Sequence, residues 1–185
     1  MTNENLKKAI LFLLIAGLRK TDISEIMPTH LLVGECEDEK IRFTCELRLN
    51  RLYKGIEQAV HGNKIGDISN AIQAHCEDEG FGVVRDLVGH GLGKSLHEDP
   101  SVPNFGKAGR GDRLRSGMTL AIEPMITLGS FKVSTLDDGW TVVTADKSVS
   151  AHYEHDIVIR EGKAEVLSTF DYIREITKSR INAKI

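Results

Sequence analysis

The sequence predicts an α+β domain in which helices lie on one face of a curved antiparallel sheet. Residues 37–80 carry apolar side chains at steps of three and four, a period typical of amphipathic helices. From residue 83 onward, short runs of β-forming residues alternate with glycine-containing turns, which is typical of strands. Helices followed by strands, rather than alternating with them, indicate an α+β fold.

Two helices account for the first part of this pattern. The first is predicted over residues 37–60, with Gly62 in the position of a C-terminal cap. The second begins at Asp67, whose side chain is expected to act as the N-terminal cap, and stops at Gly80. Its apolar face is predicted to contain Ile68, Ala71, Ile72 and Cys76.

The strands follow a glycine-rich stretch at residues 89–93, which we interpret as a loop. Gly129, Gly139 and Gly162 mark turns between the runs that come after it. The predicted strands cover residues 118–126, 131–135, 140–143, 152–160 and 164–168.

The composition and the net charge limit the classes of protein to which the chain can belong. The chain has 185 residues, enough for one domain, and 28% of them are charged. Its net charge of −3 does not indicate the excess of positive charge that is typical of nucleic-acid-binding domains. The apolar run at residues 9–18 is shorter than the ~20 residues that span a bilayer, so we interpret it as a buried helix or strand.

The cysteine pattern favours a reducing compartment. Three cysteines are present without a CxxC pair, and packed free thiols explain them most simply. We therefore expect a cytoplasmic protein with no membrane segment.

Two glutamates occupy positions where a lone carboxylate is costly. Glu123 lies inside an apolar strand and precedes Pro124, which removes a ladder donor and indicates an edge or bulge. Glu154 lies in a strand whose period of two places it with His152, Asp156 and Val158 on one face. Burying an unpaired carboxylate costs roughly several kcal/mol unless a cation or proton offsets it. A solvated face remains an alternative for Glu154.

His90 and His97 complete the set of candidate residues. Glycines flank His90 on both sides and free its imidazole from neighbouring bulk, although a structural role is the alternative. One imidazole with several carboxylates is a ligand set that suits Mn²⁺, Fe²⁺, Co²⁺ or Zn²⁺. Such ions lower the pKa of bound water and polarise a carbonyl, which is the chemistry of amide hydrolysis.

Three motifs in order resemble the type I methionine aminopeptidases. They are VGHGLGKSLHEDP at residues 88–100, GMTLAIEPM at 117–125 and SAHYEH at 150–155, with DGW at 138–140 between the last two. The resemblance implies the pita-bread fold and removal of the initiator methionine from nascent proteins by a centre of up to two divalent metals. It covers residues 33–170, which we take as the metallopeptidase domain, between an atypical segment 1–32 and a tail 171–185.

The resemblance also implies roles for individual residues. His90 and Glu123 match metal ligands, and Glu154 matches the carboxylate that bridges both metals. His97 matches the histidine that hydrogen-bonds the scissile peptide, and Trp140 matches a tryptophan near the rim of the site.

The upstream part departs from the family pattern. Family members have an N-terminal half that supplies two aspartate ligands and a further histidine. Residues 21–24 (TDIS) resemble the motif of the bridging aspartate, which makes Asp22 a candidate ligand, although Thr21 replaces the usual glycine. No residue matches the first aspartate or the histidine. We therefore expect an enzyme impaired by truncation, with open sheet edges that favour dimerisation, and the ribosome as a possible partner.

Two other functions stay open on the sequence alone. A non-catalytic pita-bread module would use the pocket to hold a peptide or a partner without metal. A dipeptidase or prolidase would use the same fold for another substrate, but His97 and the DGW turn favour the methionine enzyme.

Overall fold

The computed structural model describes residues 52–169. Asp22, Cys36, Cys45, the segment 1–32, most of the first predicted helix and the tail 171–185 lie outside these residues. Two helical segments come first, α1 at residues 52–58 and α2 at Ile65–Glu77. The strands are β1 Gly82–Val83, β2 Gly89–Gly91, β3 Glu98–Val102, β4 Thr119–Ile122, β5 Met125–Thr127, β6 Val133–Thr135, β7 Val142–Thr144, β8 Ser150–His152, β9 His155–Val158 and β10 Glu165–Val166.

The strands form three sheets within the described residues. A five-stranded sheet has the order β10-β9-β4-β2-β3, a three-stranded sheet the order β1-β5-β8, and β6 pairs with β7. Every pairing of these strands is antiparallel, as predicted. Helix α2 contacts β1 and β3. The α+β class is confirmed.

The start of α2 differs from the prediction. Asp67 is the third residue of the helix rather than its cap, and its Oδ2 accepts the backbone N–H of Lys64 at 2.8 Å. Its Oδ1 accepts the N–H of Gly109 at 2.7 Å. An aspartate in the first turn satisfies a free N–H and complements the helix dipole. Asp67 therefore does mark the start of the helix, but the helix begins at Ile65, two residues earlier than predicted.

The glycine-rich stretch is a strand, not a loop. β2 lies between β3 and β4, and the missing side chains are what allow it to fit. A Cβ atom at Gly89 would overlap the carbonyl oxygen of Ala121, and one at Gly91 would overlap that of Asp99. The glycines beside His90 thus permit close approach of neighbouring strands.

Two strands predicted as continuous are each broken in the middle. Residues 118–126 divide into β4 and β5, with Glu123 and Pro124 between them, and residues 152–160 divide into β8 and β9, with Tyr153 and Glu154 between them. β4 and β9 belong to the five-stranded sheet, whereas β5 and β8 belong to the three-stranded sheet. The chain passes from one sheet to the other at both breaks.

Apolar side chains from both helices and from the sheets form one core. It includes Leu52 of α1, Ile68 and Ile72 of α2, Leu120 and Ile122 of β4, and Ile157 of β9. Burying each such side chain contributes about 1.5–3 kcal/mol. Cys76 is fully buried in this core, as predicted. Among residues 52–169, no helix is both long and apolar enough to cross a bilayer.

Candidate metal centre

The two strand breaks lie side by side, and this brings Glu123 to Glu154. Ile122 pairs with His155 on one side of the breaks, and Met125 pairs with His152 on the other. The two pairings have the same antiparallel register. Continued through the breaks, this register places Glu123 opposite Glu154.

One face of the five-stranded sheet carries the polar side chains. Ala121 pairs with His90 of β2 and with Asp156 of β9, and cross-strand partners share a face. Glu123 and Glu154 lie two residues from Ala121 and Asp156, so the same face continues into the breaks. The small side chain of Ala121 leaves room between His90 and Asp156.

Three side chains converge tightly enough to hold one ion. Ligand atoms of His90, Glu123 and Glu154 all lie within 4.8 Å of one another. His90 Nε2 lies 3.5 Å from Glu123 Oε1. His90 Nδ1 lies 2.9 Å from the carbonyl oxygen of Gly91, which can only accept, so Nδ1 is the donor. In the neutral ring this leaves the Nε2 lone pair on the side of Glu123, where a cation would use it.

The electrostatics of the site show an excess of negative charge. Burial and, after it, the neighbouring carboxylate of Glu123 raise the pKa of Glu154 from 4.5 to about 7. Burial also raises the pKa of Asp156, with His90 opposing the shift and Glu123 adding to it. Carboxylates that resist ionisation beside one another are the groups that a divalent cation stabilises. One imidazole nitrogen and several carboxylate oxygens therefore fit a metal here.

His152 and Asp156 belong to the site, although the sequence did not single them out as site residues. His152 Nε2 lies 3.0 Å from Glu123 Oε2. Asp156 shares the polar face and donates its backbone N–H to Ser168 Oγ at 2.9 Å. The alternation in residues 152–158 already placed both on the face of Glu154, and that pattern was the available signal.

His97 lies next to His90 at a cavity. The two ring centroids are 4.2 Å apart and the rings are tilted by 64° in an edge-to-face arrangement. A cavity of about 570 Å³ is lined by both histidines together with residues of β2 and β3. Among the described residues, the group able to share one ion contains His90, Glu123 and Glu154 but not His97.

Trp140 lies apart from this face, in the turn that joins β6 and β7. Its side chain is 61% exposed. Asp138 shapes the turn, since its Oδ1 accepts the backbone N–H groups of Trp140 at 3.0 Å and Thr141 at 2.8 Å. Asp22 lies outside the described residues, so the structure gives no position for it.

The break in the sheet brings one histidine and two glutamates together as a group that could hold a metal ion. The chain belongs to metallopeptidase family M24, whose pattern matches residues 2–161.

Relatives and solved structures support the same conclusion. A methionine aminopeptidase of Clostridium perfringens is 54% identical over 136 residues, which cover 74% of this chain and 53% of the relative. The crystal structure of a methionine aminopeptidase from Thermotoga maritima is 48% identical, with a TM-score of 0.69, covering 71% of this chain and 53% of that one. The chain thus spans about half the length of the relatives that it matches.

The fold extends to more distant proteins. A prolidase from Pyrococcus furiosus superposes with a TM-score of 0.54 at 22% identity, covering 73% of this chain and 34% of that one. Likeness at this identity shows the fold alone. The predicted pita-bread fold and the resemblance to methionine aminopeptidases are both confirmed.

Proposed function

We propose that this chain is a metal-dependent aminopeptidase that removes N-terminal methionine from nascent proteins. The observation that carries the proposal is the convergence of His90, Glu123 and Glu154 within 4.8 Å in a member of family M24. The 54% identity with a methionine aminopeptidase supports the choice of substrate.

The ligand set suits Co²⁺, Mn²⁺, Fe²⁺ or Zn²⁺. His90 and Glu123 would each give one ligand atom, and Glu154 would bridge to a second ion if two are bound. Asp22 is the proposed further ligand. When bound, the metal supplies activation of water and polarisation of the peptide carbonyl.

The protein's own groups would then orient the substrate. His97 lies beside His90 at the cavity, and this position supports the proposal that its imidazole donates a hydrogen bond to the carbonyl of the scissile peptide. Such a donor stabilises charge that develops in the transition state. Trp140 would contact the substrate from the rim. In the metal-free chain the pKa of Glu154 is about 7, and a bound cation would keep this carboxylate ionised as a ligand.

Domain limits, partners and location remain predictions. We propose residues 33–170 as the metallopeptidase domain and the cytoplasm as its location, with the ribosome as a possible partner. Among residues 52–169, β10 and β3 are the outer strands of the five-stranded sheet, and we propose their edges as the surface of a dimer.

The test measures metal content and peptide cleavage together. The purified chain, the Glu123→Gln variant and the C. perfringens enzyme are each loaded with Co²⁺ or Mn²⁺ and assayed on a Met-Ala-Ser peptide. We expect the chain to hold metal and release methionine, and Glu123→Gln to lose both because it loses a ligand.

The outcomes separate the alternatives. A rate within about tenfold of that of the C. perfringens enzyme corresponds to an activation barrier higher by less than ~1.4 kcal/mol. Such a rate would show that this chain alone is sufficient for the reaction. A chain that binds methionyl peptides without metal and without cleavage would contradict the proposal and support a non-catalytic module.

A further inference from the structure

We propose that His152 is a positioning residue that holds the Glu123 carboxylate in the orientation that binds metal. The inference rests on the proposed metal function and names a residue that acts through Glu123. His152 lies on β8 in the three-stranded sheet, whereas Glu123 follows β4 of the five-stranded sheet. The contact therefore joins the two sheets at the break.

The two oxygens of Glu123 face two different imidazoles. Oε1 lies 3.5 Å from His90 Nε2, and Oε2 lies 3.0 Å from His152 Nε2. An ionised carboxylate carries no proton, so an Nε2–H of His152 is the group that can attract Oε2 at this distance. One oxygen is thus held by His152, while the other stays on the side of His90 and of the proposed ion.

Burial distinguishes the two partners of this contact. The Glu123 side chain is 13% exposed and that of His152 is 46% exposed, so the histidine holds the carboxylate from the solvent side. Among the described residues, His152 is not in the group whose ligand atoms lie within 4.8 Å of one another. Its position is that of an outer partner rather than a ligand.

The rest of Glu123 does not fix the carboxylate. Its backbone carbonyl accepts a hydrogen bond from Asn104 Nδ2 at 3.1 Å, which holds the main chain at the break. The side chain still has three rotatable bonds beyond that point, and ordering them costs free energy. The contact with His152 offsets this cost before metal binds, which raises affinity for the metal.

The test compares two substitutions at His152 with a matched control. His152→Ala removes the donor, whereas His152→Gln keeps an amide N–H donor that can reach the same oxygen. His75→Ala is the control, because His75 on helix α2 is part-exposed and its Nε2 lies 4.0 Å from Oε1 of Glu79, which follows the helix. Each full chain is titrated with Co²⁺ alone by calorimetry, and its visible absorption is recorded.

We expect His152→Ala to weaken Co²⁺ binding by about 10- to 100-fold, the usual cost of losing an outer partner. His152→Gln should recover most of the affinity, with the absorption spectrum of the wild type because no ligand has changed. His75→Ala should bind Co²⁺ as the wild type does. Unchanged affinity in His152→Ala, or equal losses in the Ala and Gln variants, would overturn the proposal.

A second measurement needs no metal. Crystal structures of the metal-free wild type and His152→Ala variant show whether the Glu123 carboxylate keeps one position. We expect one position in the wild type and several in the variant, and one shared position in both would refute the inference. If the wild type binds no Co²⁺, the proposed function fails, while this comparison still decides the role of His152.

Discussion

The paired part of β4 and β9 differs sharply from the break that follows it, although the register is the same. Leu120 pairs with Ile157 within the strands, and both side chains are fully buried. Beyond the end of the ladder, Glu123 lies opposite Glu154. One antiparallel register therefore places an apolar pair in the core and an acidic pair at the break, beside His90.

The difference shows where stability and chemistry reside. The apolar pair contributes burial and cross-strand packing, which stabilise the sheet. Burial of Glu154 and, after it, the like charge of Glu123 both disfavour the ionised carboxylate, and together they raise the pKa of Glu154. A bound cation would stabilise the ionised carboxylates. The acidic pair at the break therefore lowers the stability of the metal-free fold but favours metal binding.

The largest expected effect comes from disrupting the apolar pair of Leu120 and Ile157. Ile157→Ala should lower the free energy of unfolding by about 2–5 kcal/mol, because it leaves a cavity in a fully buried site. Val142→Ala is the control, since Val142 lies on β7 and is exposed, and it should change stability by less than about 0.5 kcal/mol. Denaturant unfolding measures both. Equal losses would show that the ladder is not the more stabilising region.

The next effect concerns His97, which lies beside His90 but outside the group that can share one ion. His97→Ala should lower kcat by about 10²–10³-fold, or ~2.7–4 kcal/mol, because one donor to the transition state is lost. Bound Co²⁺ per chain should stay the same, since His97 is outside the group that can share an ion. Steady-state kinetics and metal analysis give the two numbers. Parallel loss of metal and rate would place His97 among the ligands.

The sequence predicted the composition of the site better than its geometry. Glu123 and Glu154 were recognised because a carboxylate among apolar strand residues is costly, and this argument needs no tertiary information. The breaks beside them were not predicted, because they arise where two sheets meet, and local patterns extend strands straight through such points. Pro124 was the local hint of an interruption.

The glycines beside His90 show the same limit. Their pattern was interpreted as a loop because glycine is depleted from strands. The structure places them in a strand where the neighbouring carbonyls of Ala121 and Asp99 leave no space for a Cβ atom. Close packing between strands has no local signal in the sequence, so the strand β2, which carries His90, was not predicted.

A smaller effect is expected from the acidic pair, and it can be measured as a dependence of stability on pH. The pKa of Glu154 is raised from its ordinary 4.5 to about 7, so the folded metal-free chain keeps a proton that the unfolded chain releases. Its contribution to stability is full below about pH 4.5 and is lost as the pH rises to about 7. Burial shifts the pKa of Asp156 in the same direction.

The measurement isolates Glu154 by difference. Unfolding free energies of the metal-free wild type and of Glu154→Gln are compared from pH 4 to pH 8. The variant should gain on the wild type as the pH rises, since glutamine stays uncharged. A difference that is constant across this range would mean that the environment of Glu154 does not favour its protonated form.

The smallest effect on stability is expected at Trp140, which lies outside both the ladder and the break. Its side chain is 61% exposed, and Asp138 shapes the turn through the backbone N–H groups of residues 140 and 141. Trp140→Ala should therefore change the free energy of unfolding by less than about 0.5 kcal/mol. If the indole contacts substrate as proposed, KM for a Met-Ala-Ser peptide should rise by about tenfold, or ~1.4 kcal/mol.

Asp138→Ala is the matched comparison for this prediction. It removes the hydrogen bonds that shape the turn, including the 2.6 Å bond that the Thr141 hydroxyl donates to Asp138 Oδ2. It should lower stability, because several donors lose their partner, and raise KM only by displacing Trp140. A KM unchanged by Trp140→Ala would remove the indole from the substrate site. The cavity beside His90 and His97 would then have to supply the selectivity for methionine without help from the β6–β7 turn.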